Sequence, residues 1–166
     1  MIVEPTTQST SPPSDKPLVE SPVLVGMDVP LFYMTERGPV TWEHKVFCGR
    51  AFADTVLTEM NDIMKVAELG LVHLGFYNPR KARRRDGTPI SPERWSNHAF
   101  GEAVDFKGIV QTDDTDNFLD IAAMKTSAPD VLKNMSERCA NAIEAIGRKP
   151  EIVDEGSWLH IGIWPK

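Results

Sequence analysis

The sequence predicts an α+β domain in which a small, mostly antiparallel sheet is covered on one face by helices. Three observations point that way. Two long segments repeat apolar residues every three or four positions, short segments alternate apolar with polar residues, and glycine, proline and aspartate punctuate the boundaries. No internal repeat is found.

Pro5, Pro12, Pro13, Pro17 and Pro22 open the chain among Ser, Thr and Glu, with little apolar material to bury. Residues 1–22 therefore read as a flexible tail or linker, and residues 23–166 as a single domain. The opening lacks the charged and apolar regions of a secretory signal, so the expectation is an intracellular protein or one whose leader or preceding domain lies outside this sequence. From Val46 to Glu68, Phe52, Val56, Met60, Ile63, Met64 and Ala67 recur at helical spacing, with Gly70 as the stop. Leu71 to Phe76 reads as a strand with Val72, Leu74 and Phe76 on one face and His73 and Gly75 on the other. Residues 78–97 are a loop broken by Pro79, Gly87, Pro89 and Pro92, and Ala103 to Ile109 is a second strand. Asp113, Asp114 and Asp116 mark an acidic turn before a short helical segment around Phe118 to Met124. Their spacing misses the EF-hand pattern, so a solvated turn is favoured over a calcium site. Ser127 with Asp130 signals an N-cap, and Val131, Leu132, Met135, Cys139, Ala142, Ile143 and Ile146 form the stripe of a long helix ended by Gly147 and Pro150. Ser157 to Trp164 alternates strictly, with Leu159, Ile161 and Ile163 opposite Trp158, His160, Gly162 and Trp164.

Composition limits the function classes. Across 166 residues, 41% are hydrophobic and 25% charged, which excludes a wholly disordered chain, a collagen or a disulfide-stapled mini-protein. A net charge of −6 argues against a dedicated nucleic-acid binder, and the longest apolar stretches fall far short of a membrane span. Cys48 and Cys139 each fall on the apolar face of an expected helix. They read as buried thiols, with a disulfide open only if those helices touch. His44 reads as a surface residue.

Alternation also locates chemistry. Val104 and Phe106 on the core side turn Asp105 to the opposite face, and the same logic turns His160 away from its aliphatic neighbours. His98, in a loop next to Gly101, can reach that face. Two histidines, one aspartate and an open position make a catalytic zinc arrangement, in which a bound water becomes acidic enough to attack an amide near neutral pH.

The run Ser96-Asn97-His98-Ala99-Phe100-Gly101-Glu102-Ala103-Val104-Asp105 matches an SxHxxGxAxD signature. It resembles the zinc D-alanyl-D-alanine carboxypeptidases and their relatives, among them the L-alanyl-D-glutamate endopeptidases and the extensin-like group. Ser157-Trp158-Leu159-His160-Ile161 is similar to the aromatic–histidine landmark of that family's last strand. Gly75-Phe76-Tyr77-Asn78-Pro79-Arg80 is similar, more weakly, to its arginine segment. The resemblance spans roughly residues 46–164 and implies the Hedgehog/DD-peptidase fold, zinc held by His98, Asp105 and His160, and a peptide of the peptidoglycan stem as substrate. It also implies a cell-envelope or phage-associated setting. Arg80 would bind a substrate carboxylate or the oxyanion formed at the scissile carbonyl. Ser96 would hold the loop, with Tyr77, Trp158 and His73 near substrate or behind the ligands. Lys81, Arg83, Arg84 and Arg85 extend the basic run, either as a solvated loop or as an attractor for an anionic polymer.

The sequence departs from the family at the general base. The family places a glutamate three residues before its last histidine, or an aspartate or histidine two residues to one side; here those positions hold Ser157, Trp158 and Gly162. Glu155 and Asp154 are the nearest carboxylates, in a loop with Gly156, and His73 is a third candidate. The leading expectation is thus a zinc metallopeptidase with Glu155 as base. The alternative is a weak or inactive module on the same fold that binds cell wall or protein without cutting.

Overall fold

The computed structural model describes residues 17–43, 45–84 and 86–165, so His44 and Arg85 lie outside the described residues, as does most of the expected tail. The chain is mixed α+β with a mostly antiparallel sheet. Strands β1 (Pro22–Gly26), β2 (Leu31–Thr35), β3 (Gly38–Thr41) and β4 (Lys45–Gly49) precede a continuous helical stretch made of α1 (Arg50–Phe52), a π-helical turn (Ala53–Leu57) and α2 (Thr58–Ala67). Strand β5 (Leu69–His73), a 3-10 turn (Asn97–Phe100), β6 (Ala103–Gln111) and β7 (Asp114–Asp120) follow. Helices α3 (Ile121–Ser127) and α4 (Pro129–Ala145) and strands β8 (Pro150–Asp154) and β9 (Leu159–Ile163) complete the fold.

The main sheet runs β3-β2-β5-β6-β9-β8, with β7 on the C-terminal half of β6, while β1 and β4 form a separate pair. The β2–β5 pairing is parallel and every other pairing antiparallel. Helices cover one face. Phe52, Val56, Met60 and Met64 from the first helical stretch meet Met135, Cys139 and Ile143 of α4 over Leu71, Val104, Phe106, Leu159, Ile161 and Ile163 of the sheet. Each of the aliphatic, methionine and phenylalanine side chains among these stabilises the fold by roughly 1.5–3 kcal/mol through removal from water. Phe32, Val72 and Val110 form a smaller cluster apart from this core.

Several sequence expectations are corrected. Residues 46–49 of the expected first helix belong to strand β4, because alternation buries Val46 and Cys48 while each backbone pairs with β1. Cys48 is therefore a strand residue, and both cysteines are buried free thiols whose pKa burial pushes up to about 12. The tail ends sooner than expected: Pro22 pairs with Gly49, and the Ser21 carbonyl accepts the Arg50 N–H. Helix α2 stops at Glu68, which takes the left-handed conformation. Gly70 belongs to β5, where a Cβ would lie 2.7 Å from the Phe32 ring. Asp114 and Asp116 lie in β7 rather than a turn leading into helix, and α4 starts from Ala128 without the expected side-chain cap from Ser127. Residues 150–154, left without an element by the sequence, are strand β8.

Candidate metal centre

Antiparallel pairing of β6 with β9 sets Asp105 directly opposite His160. Both lie on the face turned away from Phe106, Leu159 and Ile161, as strand alternation requires. His98 arrives from the 3-10 turn. Ser96 caps that turn by accepting the His98 N–H at 3.3 Å, and Gly101 closes it at φ +68, packed so tightly that a Cβ would sit 3.0 Å from the Gly49 nitrogen. A left-handed φ without a side chain is what glycine supplies at least cost.

The ring atoms then converge. His98 Nε2 lies 3.2 Å and His160 Nδ1 3.1 Å from the same Asp105 Oδ1. The three residues offer ligand atoms within 4.8 Å of one another, so they can hold a metal ion. Hydrogen bonding supports that fit. His98 Nδ1–H donates to the Phe76 carbonyl at 2.6 Å, which places the ring's proton on its outer nitrogen and leaves Nε2 facing a carboxylate oxygen. Two acceptors at that separation need a cation or a second proton beside them. Burial opposes charge on Asp105, yet the His160 and His98 rings against its Oδ1 hold its carboxyl well below the usual range. Burial likewise works against the His160 cation, but its bonds to Asp105 and Glu151 outweigh burial and raise its pKa to about 9.

These residues form the floor of a cavity of about 340 Å³ whose lining includes Arg80, Arg84, Arg94, Ser96, Glu155 and Trp158. The expected Arg80, Ser96, His98, Asp105, Glu155, Trp158 and His160 are thus brought together around one pocket. Asp154 is engaged elsewhere, in an ion pair with Lys125 at 2.7 Å.

Two expected residues are not part of this site. His73 is fully buried with both ring nitrogens unpartnered, enclosed by the rings of Tyr33, Trp42 and Phe76. Strand β5 ends at His73, short of the expected Phe76, and of Val72, Leu74 and Phe76 only Phe76 is buried in the helix-covered core. Leu71 joins the helix-covered core and Val72 the smaller cluster, and the β5–β6 register shifts between Val72 and His73. Tyr77 lies against Phe47 with ring centroids 5.1 Å apart and lines a separate cavity with Tyr33, Trp42 and Phe76.

Sequence reasoning missed Glu151, Arg94 and Asn97. Glu151 Oε1 accepts from Asn97 Nδ2 at 2.6 Å and lies 3.0 Å from His160 Nε2, while its second oxygen faces Arg94 at 4.0 Å. Despite the burial that opposes it, the carboxyl is held below its ordinary pKa by the His160 bond. The signal that would have found it is a short strand at Glu151-Ile152-Val153, with Ile152 turned to the core.

No family model matches the chain, and comparison with curated proteins and with solved structures finds no significant relative. Among the described residues no helix is long and apolar enough to cross a membrane.

Proposed function

We propose that this chain is a zinc-dependent metallopeptidase of the Hedgehog/DD-peptidase fold that hydrolyses a peptide bond in peptidoglycan stem peptides, in the cell envelope or on a phage. The observation that carries the reading is the convergence of His98 Nε2 and His160 Nδ1 on one oxygen of Asp105, in an open pocket walled by arginines. Two imidazoles and one carboxylate are donors that suit zinc. When bound, zinc supplies a Lewis acid that makes water nucleophilic near neutral pH.

The chain's own residues do the rest. The Arg80 guanidinium, which among the described residues donates to the Lys81 carbonyl at 3.5 Å, binds a carboxylate or carbonyl oxygen of the peptide. Trp158 gives the substrate an apolar wall beside it. Glu155, which lines the pocket with Trp158 and His160, is the carboxylate we assign to take a proton from water. The binding-module reading stays in play for one reason. Ser157, Trp158 and Gly162, at the positions where related enzymes carry the base, offer no proton acceptor of the right kind.

The test is incubation of zinc-loaded protein with purified peptidoglycan, followed by analysis of released muropeptides. New peptide termini are expected from the wild type and not from Asp105→Asn. No cleavage across several wall chemistries overturns the peptidase reading, and saturable binding without turnover favours the module. A Glu155→Ala variant with full activity would remove only the base assignment.

A further inference from the structure

Each histidine of the candidate centre has an inner nitrogen turned to Asp105 and an outer nitrogen turned to something else. For His98 the outer partner is the Phe76 carbonyl. For His160 it is a carboxylate, Glu151, set in place by the β8–β9 hairpin. That hairpin pairs Val153 with His160 and Glu151 with Gly162, which leaves the Glu151 side chain alongside the imidazole. A neutral imidazole that donates from Nε2 carries its lone pair on Nδ1, the atom that faces Asp105, and it is this form that a metal ion in place of the second proton would engage. Glu151 is not among the residues whose ligand atoms group together, so its action on an ion is indirect.

Its surroundings are those of a fixed group. The Asn97 amide donates to the same oxygen that faces His160, and Asn97 immediately precedes His98 in the 3-10 turn. Gly162, opposite Glu151 on β9, gives this amide room, because a Cβ there would meet Asn97 Nδ2 and lie 3.0 Å from the Glu102 carbonyl. Arg94 approaches the second oxygen while stacking over the Trp164 ring at 4.9 Å. One carboxylate therefore links the turn bearing His98 to the strand bearing His160.

We propose that Glu151 is a positioning residue of the metal centre: it holds His160 in the tautomer that presents Nδ1 to the ion and ties the two histidine-bearing segments together. The inference rests on the metal-site reading above. Carboxylate partners of ligating histidines contribute about 10- to 100-fold to metal affinity.

Zinc affinity, measured by chelator competition, is compared among wild type, Glu151→Ala, Glu151→Gln and His160→Ala, with circular dichroism and apo-protein thermal unfolding run beside it. Glu151→Ala is expected to weaken zinc about 10- to 100-fold. Glu151→Gln keeps the shape and one acceptor oxygen, and is expected to fall between Ala and wild type. The ¹⁵N–¹H correlation pattern of the His160 ring in zinc-loaded protein supplies the readout that a purely structural role would not move. It should report an Nε2–H tautomer in wild type and lose that proton to rapid solvent exchange in Glu151→Ala. The cobalt-substituted spectrum should keep its shape in Glu151→Gln, whereas a changed ligand field would make Glu151 a direct ligand and overturn the positioning role. Folded Glu151 variants with wild-type affinity and an unchanged ring pattern also overturn it while leaving the metal site standing. A wild type that binds zinc no better than His160→Ala overturns the site and this inference together.

Discussion

His73 allows a quantitative test of the fold that does not depend on the metal centre. The ring is fully buried, neither nitrogen has a hydrogen-bond partner, and its neighbours are the uncharged rings of Tyr33, Trp42 and Phe76 at 5.7, 5.2 and 4.5 Å. Burial lowers its pKa from 6.5 to about 4, so the folded protein holds it neutral. The unfolded chain takes up that proton near the ordinary value. A gap of about 2.5 units, at about 1.4 kcal/mol each, is worth about 3 kcal/mol. The sign follows from which state binds the proton: this stability is present in full above the unfolded pKa, is lost as pH falls from about 6.5 to about 4, and changes no further below that. Urea unfolding of wild type and His73→Phe between about pH 7.5 and pH 4.5 isolates the effect, since the other titrations are common to both proteins. The stability difference between the two should shift by about 2.5 kcal/mol in favour of the variant across that range. A difference that does not change with pH, or a His73 ring that titrates near 6.5 in the folded state, would refute the reasoning.

Two further perturbations address packing. Arg148 grips both oxygens of Glu102 at 3.1 and 3.2 Å and the Trp164 carbonyl at 2.8 Å, with the two side chains only 14% and 8% exposed. Arg148→Ala strands a buried carboxylate and should cost about 3–5 kcal/mol in thermal or denaturant unfolding; a loss under about 1 kcal/mol would show the pair to be solvated. Gly108 lies where β6 passes β7, and a Cβ there would run into the Leu119 carbonyl, a backbone atom that cannot swing aside. Gly108→Ala should therefore destabilise by about 1–3 kcal/mol, and a variant as stable as wild type would mean that the β6–β7 crossing is looser than described.

The parts of the fold that alternation or helical spacing reports directly were legible. Leu159, Ile161 and Ile163 against His160, and Val104 and Phe106 against Asp105, needed no partner strand to be read, and the Met135–Cys139–Ile143 stripe stood out likewise. The N-terminal strands were not legible, for a physical reason. Strand β1 has no fully buried residue, and Val46, Cys48, Phe52 and Val56 satisfy strand spacing at one end and helical spacing at the other, so the helix was extended backwards over β4. Strand β7 carries Asp114 and Asp116 exposed, which reads as a turn because its pairing with β6 leaves little trace in side-chain polarity. His73 was misplaced because a register shift, invisible in one strand's sequence, falls just before it. Glu151 was missed because the carboxylate was sought by distance along the chain from His160. The β8–β9 hairpin instead carries a residue nine positions away to 3.0 Å from the imidazole.

The charge of the whole chain and that of the pocket point in opposite directions, and the pocket decides what can approach. The net charge is −6, yet the cavity over the histidines is lined by Arg80, Arg83, Arg84 and Arg94 against Asp105, Glu151 and Glu155. Asp105 and Glu151 spend their charge locally, within hydrogen-bond reach of His98, His160 and Asn97. Arg83 donates to the Gly87 carbonyl and Arg84 to the Pro89 carbonyl, contacts that orient the guanidiniums without neutralising them. A carbonyl partner restrains an arginine while leaving it able to attract an anion, and a cleft focuses that attraction far more than an open surface does. A divalent cation on the floor would add to the same field. The cleft therefore favours a ligand that carries carboxylates, which the proposed acidic stem peptide would satisfy and a neutral peptide would not.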